Sequence, residues 1–127
     1  MKLNKKGQSM VEMALILPLV ILLLMGMVEL SRVFGSYLLV THVSREGARL
    51  ASIGRTDAEI QANLAGKAGI LNVSELQVIL TPADGARTTG EDVRVCVKYK
   101  LQIYAPVISS IVSNPFEMEA NTYMRVE

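Results

Sequence analysis

Apolar residues crowd into the first third of the chain, and the spacing of hydrophobic positions then changes twice along it. Met13 to Val28 carries no charged side chain. A membrane-spanning helix needs about 20 residues. Extending the run back to Gln8 supplies that length and brings Glu12 to its edge. Pro18 lies inside the run. It has no backbone N–H to donate and tends to kink a helix, although neighbours in a membrane can re-satisfy the freed carbonyl. No stop signal follows Val28. Leu30, Val33, Phe34, Tyr37, Val40, Ala48 and Ala51 recur at helical spacing, with Ser44 and Gly47 as small gaps, and predict an apolar stripe. One helix from Gln8 to Ser52 would be roughly 65 Å long, with Gly54 as its stop.

Thr56-Asp57-Ala58-Glu59 then reads as a capping box opening a short helix, whose inner face holds Ile60, Leu64 and Ala68 and whose end is Gly69. The rhythm next shifts to period two. Glu75 to Thr81 is the first strand, and Pro82-Ala83-Asp84-Gly85 opens a loop running through Gly90. Val93, Val95, Val97, Tyr99, Leu101 and Ile103 alternate with Arg94, Cys96, Lys98, Lys100 and Gln102. Such alternation predicts a sheet with one buried and one wet face. A third strand, Phe116 to Val126, sets Met118, Ala120, Thr122, Met124 and Val126 against Glu117, Glu119, Asn121 and Arg125, so that acidic residues can face the basic ones of the second. The fold class is therefore α+β: a long amino-terminal helix covered by a short helix and a three-stranded antiparallel sheet. Between the last two strands, Pro106 to Val112 is an apolar loop or short helix. It reads as core folded over the sheet edge, or, if exposed, as an interaction patch.

Charge orients the chain. Lys2, Lys5 and Lys6 precede the apolar run and only Arg32 closely follows it. Positive-inside bias puts the amino terminus in the cytoplasm and the body outside. The formal net charge is +1, and removing those three lysines with the first seven residues leaves −2. No clustered basic face suggests nucleic acid. With no tryptophan, interface belts must rely on tyrosine, and a single cysteine, Cys96, rules out an intrachain disulfide. Cys96 on the polar side of its strand reads as a small packed residue, with subunit cross-linking as the alternative. His42, the one histidine, reads as a helix-surface residue; with Cys96 it is too little for a metal site. No nucleophile elbow, phosphate loop or cofactor motif is evident. The expectation is a non-enzymatic protein without metal or cofactor. Arg45 and Arg49 share a helix face four residues apart, and Gly47 with Ala48 allows close backbone approach. This segment is either a solvated basic face with a packing notch or a docking surface for a partner subunit.

An ordinary signal peptide fits poorly. The apolar run is long, and its exit, Met25-Gly26-Met27-Val28-Glu29, offers no A-x-A-like site. On the other side, Lys5-Lys6-Gly7 followed by Gln8-Ser9-Met10-Val11-Glu12 resembles a type IV prepilin processing site. The resemblance implies cleavage between Gly7 and Gln8 by a prepilin peptidase, leaving the apolar helix in place. Glu12 then becomes the fifth mature residue, where pilin-like proteins carry a glutamate. Such a carboxylate could pair with the new amine of a neighbour's Gln8, and burial of the pair would direct register.

The run Gly7 to Pro18, then Glu29-Leu30-Ser31-Arg32, then Arg45-Glu46-Gly47-Ala48-Arg49, together resemble TadE-like proteins over about residues 7–52. The resemblance implies a minor pseudopilin of the Tad (tight adherence, Flp-type) pilus system that aids fibre assembly and adherence. Its partners would be membrane lipid, the peptidase, other pilin subunits and the Tad machinery. Glu12, Pro18, Arg45, Glu46, Gly47 and Arg49 would serve assembly. Met13 replaces the tyrosine that major Flp pilins favour after the glutamate, and the body is much longer; both disfavour the major subunit. The chain ends too soon for the large extra domain of TadG-type relatives. The implied organisation is a leader (1–7), a transmembrane helix (8–29), its extramembrane continuation (30–53) and an exported pilin-like domain (54–127). It is anchored as a single-pass protein of the cytoplasmic membrane. An uncleaved scaffold of a secretion machine and a tethered surface-binding module are the alternatives.

Overall fold

The computed structural model describes residues 5–127; Lys2 and the rest of the expected leader before Lys5 lie outside them. Helix α1 runs unbroken from Lys5 to Ser52, 48 residues with Pro18 inside, or about 70 Å. It starts three residues before the expected Gln8. Its end is a Schellman motif: Gly54 takes φ +79, its N–H donates to Ala51, and Arg55 N–H donates back to Leu50. Helix α2 (Asp57–Lys67) opens with the expected capping box, Thr56 accepting from Glu59 N–H while the Glu59 carboxylate takes Thr56 N–H. A one-turn 3-10 helix (Val73–Glu75) leads into β1 (Leu76–Thr81). Strands β2 (Asp92–Leu101) and β3 (Phe116–Arg125) complete an antiparallel sheet of order β1-β2-β3, so β2 is central. Helix α3 (Pro106–Ile111) sits in the β2–β3 connection.

The alternation on β2 buries Val93, Val95, Val97, Tyr99 and Leu101 against α1 and α2. The opposite face pairs charges across the register: Lys98 lies opposite Glu119 and Lys100 opposite Glu117, at 3.9 and 3.7 Å. Cys96 is on that face yet only 5% exposed, its thiol donating to Glu119. Burial, and then the neighbouring carboxylate, push that thiol's pKa up. Ile60, Leu64 and Ala68 of α2 and its exit are buried as their spacing implies.

Two expectations are corrected. The apolar stripe does not hold at its lower end: Leu30, Phe34 and Tyr37 face outward, while Glu29, Ser36, Val40, Val43, Ser44, Gly47 and Ala51 face the domain. The buried seam selects small residues because a sheet lies directly on the helix. Ser44 makes that approach possible, donating to the Val95 carbonyl of β2 at 3.1 Å and meeting the Thr122 hydroxyl at 2.8 Å. Second, the Pro106–Val112 segment is not core. None of α3 is buried, and Ile111 is 79% exposed.

A side-chain cluster not foreseen from the pattern anchors the β1–β2 loop. Arg87 bonds the carbonyls of Pro82 and Arg55 and the carboxylate of Asp57, while Asp57 and Asp84 each accept the other's backbone N–H. The loop is thereby tied to the start of α2.

Candidate assembly and membrane site

The expected cleavage junction, Gly7-Gln8, is helical. Lys5 and Lys6 are exposed, and Gln8 donates its side-chain amide to Glu12 at 3.3 Å, one turn on. Glu12 is exposed, and so is nearly every apolar residue from Met10 to Val28. The most apolar 18-residue window of α1 has a mean hydropathy of 2.6, and none of that window is buried within the chain. A core helix of comparable composition would be covered by its own protein. Here the surface is left for a non-aqueous surrounding. Among the described residues one helix is long and apolar enough to cross a membrane, as a single-pass membrane protein requires.

At the carboxyl-terminal end of that apolar run, Glu29 is 4% exposed. It accepts from Arg32 at 2.8 Å and from the backbone N–H of Tyr104 at 3.4 Å. Arg32 also donates to the Gln102 carbonyl and lies 4.8 Å from the centre of the Tyr104 ring. The pair thus fastens the β2–α3 linker to the helix where the apolar run ends. Glu29 and Arg32 formed part of the family resemblance without a role. Their i, i+3 spacing suits an ion pair, but the third member comes from 75 residues away, which no local pattern reveals.

The Arg45–Arg49 segment is divided. Gly47 is the packing notch: a Cβ there would stand 3.0 Å from Leu64 and 3.1 Å from Val95. Glu46 accepts from Arg49 at 2.8 Å and from Lys67 at 2.6 Å, clipping α1 to α2. These two cations, Arg49 foremost, hold the Glu46 carboxyl at about 2. Arg45 points outward and joins none of the ion pairs among the described residues. His42 is exposed. Among the described residues no group of three or more His, Cys, Asp or Glu is placed to hold a metal ion.

The site residues therefore fall into three levels along one helix: Gly7, Gln8 and Glu12 at its start, Pro18 within the apolar run, and Arg45 to Arg49 under the domain. No curated protein and no solved structure matches the chain. Over residues 7–49, from the expected cleavage junction to the Arg45–Arg49 segment, the chain matches the family model of TadE-like proteins.

Proposed function

We propose that this chain is a minor pseudopilin-like subunit of a Tad pilus, cut between Gly7 and Gln8 by a prepilin peptidase and acting in fibre assembly and surface adherence. The observation that carries this reading is the coincidence of Lys5-Lys6, immediately before the matched segment, with Gly7, Glu12 and an uncovered apolar helix inside it. In this reading the amino terminus is cytoplasmic, from the flanking lysines, and the folded domain lies on the far side of the membrane.

The chemistry is that of a charge seeking its partner. A carboxylate inside a membrane helix costs roughly 2.5–3.5 kcal/mol at the centre and less near an interface. Among the described residues of one chain Glu12 has only the neutral Gln8 amide. Hydrolysis of the Gly7–Gln8 peptide bond frees the backbone nitrogen of Gln8 as a cationic α-amine, and a neighbouring subunit's α-amine satisfies Glu12 best when the two helices are in register. Pro18 leaves the carbonyl of Ala14, one turn earlier, without its helical donor and so softens the helix there. Arg45 offers an outward cation to the assembly machinery, while Glu46, Gly47 and Arg49 act indirectly by fixing the domain on its helix.

Glu12→Ala tests this. It should leave membrane insertion intact and reduce piliation at least tenfold, counted by microscopy and by sheared-fibre yield. Normal piliation with the mutant as sole copy would contradict the proposal.

A further inference from the structure

Between Lys100 and Glu117 the chain carries no charged residue. Its middle forms a finger closed at the neck by Asn114, whose side-chain amide donates to the Ile103 carbonyl and whose side-chain oxygen accepts from Ile103 N–H, both at 3.1 Å. From that neck the finger turns toward the amino-terminal half of α1. Tyr104 meets Glu29, and α3 lies alongside the apolar run, the Ile108 side chain being the group a Cβ on Gly26 would touch. Leu17, Pro18, Leu22 and Gly26 of α1, with Pro106 and Val107 of α3, line an almost wholly apolar groove of about 410 Å³.

Position along α1 sets its depth. At 1.5 Å per residue, Gly26 lies about 4.5 Å and Leu17 about 18 Å below Glu29, where the charge-free run ends. If that run spans a bilayer, α3 lies among acyl chains and not in water. Its composition agrees. Val107 and Ile111 are exposed, and both serine hydroxyls are already satisfied by their own helix, Ser109 donating to Pro106 and Ser110 to Val107. Internal satisfaction removes the cost of placing a hydroxyl in hydrocarbon. Directly above the finger, Tyr104 and Arg32 form the amphipathic pair expected at headgroup level.

We infer that α3 is a second membrane element, inserted into the leaflet on the folded domain's side, and that the groove between α3 and α1 holds a phospholipid acyl chain. The groove is continuous with the lipid-facing surface of the span, which is why lipid is its occupant. The inference rests on the membrane-spanning part of the functional reading. Finger and helix together fix the height of the domain over the bilayer, where a single helix would leave it free to tilt.

The absence of tryptophan makes the test direct. Four single-tryptophan full-length proteins are reconstituted in phosphatidylcholine vesicles with and without acyl chains brominated at carbons 6 and 7. They are Ile111→Trp on the exposed side of α3, Val107→Trp in the groove, Leu22→Trp in the span and Ile70→Trp. Ile70 adjoins Gly69, which packs near Leu39, about 15 Å above Glu29. Bromolipid should cut indole emission at least twofold in the first three and leave Ile70→Trp unchanged. Quenching of Leu22→Trp without either α3 variant would overturn the inserted finger and leave the span intact. A blue-shifted but unquenched Val107→Trp beside a quenched Ile111→Trp would mean that a protein segment fills the groove, overturning the acyl-chain occupant. An unquenched Leu22→Trp would remove the span, and this inference with it.

Discussion

Glu46 accepts from Arg49 and Lys67, and its carboxyl is held at about 2 against an ordinary 4.5. A carboxylate whose pKa is depressed on folding stabilises the native state above the unfolded value, and loses that contribution as pH falls through the folded one. The α1–α2 clip should therefore be fully present above pH 4.5 and lost progressively between about 4.5 and 2. Because both cations are largely solvated, its worth is discounted to about 1 kcal/mol. Glu46→Gln should lower stability by that amount at pH 7 and by much less at pH 2, where the carboxyl is half protonated, followed by urea titration; an equal effect at both values would show that the ion pairs are not what Glu46 contributes. Other single residues divide by how local their signal is. The Thr56–Glu59 box is legible because both halves of its exchange lie within one turn. Arg87 and Glu29 are not, because their partners arrive from 30 and 75 residues away. The burial of Cys96 on a polar face follows from neighbouring long side chains closing over a short one.

Among the elements, β2 and β3 were readable from period-two alternation, and the observed register sets their opposite charges side by side. The upper half of α1 was readable less well. Leu30, Phe34 and Tyr37 continue the helical spacing of apolar residues yet face outward, since the sheet approaches the side offering Ser36, Ser44 and Gly47. On this helix small side chains mark the covered face alongside Val40, Val43 and Leu50: a sheet can lie close only where the seam is thin. Gly47 is where three elements meet, and Gly47→Val would drive two further methyls into Leu64 and Val95, both fully buried. Overpacking costs roughly 1–3 kcal/mol, so a loss of at least 2 kcal/mol is expected in thermal or chemical unfolding of the folded domain in detergent. Unchanged stability would mean that α2 can shift away, and that the notch is kept free for something outside the chain. Helix α3 could be placed by neither pattern, because the fact that defines it, its descent beside the apolar run of α1, is tertiary.

For the molecule as a whole, the α+β architecture and the candidate span followed from how hydrophobic residues are distributed, while the proposed assembly role rests on separated motifs in order: Gly7-Gln8 with Glu12, then Glu29 to Arg32, then Arg45 to Arg49. The matched segment stops at residue 49, before α2 and the sheet, so the domain's part in the function has to come from its own geometry. That geometry holds the domain on the helix at three levels: the Glu29–Arg32–Tyr104 cluster, the Ser44 contacts and the Glu46 clip. A subunit carried by its helix into a fibre would need such rigid mounting, and so would one held at a set height over a bilayer. What separates an assembly subunit from a permanent anchor is the bond between Gly7 and Gln8. The deciding measurement is the intact mass and amino terminus of the protein from native membranes, with and without the resident prepilin peptidase. A start at Gln8 that disappears with the peptidase is the predicted result, since it creates the amine that Glu12 requires. An intact Met1 start in both strains would contradict the pseudopilin account and leave an uncleaved membrane scaffold.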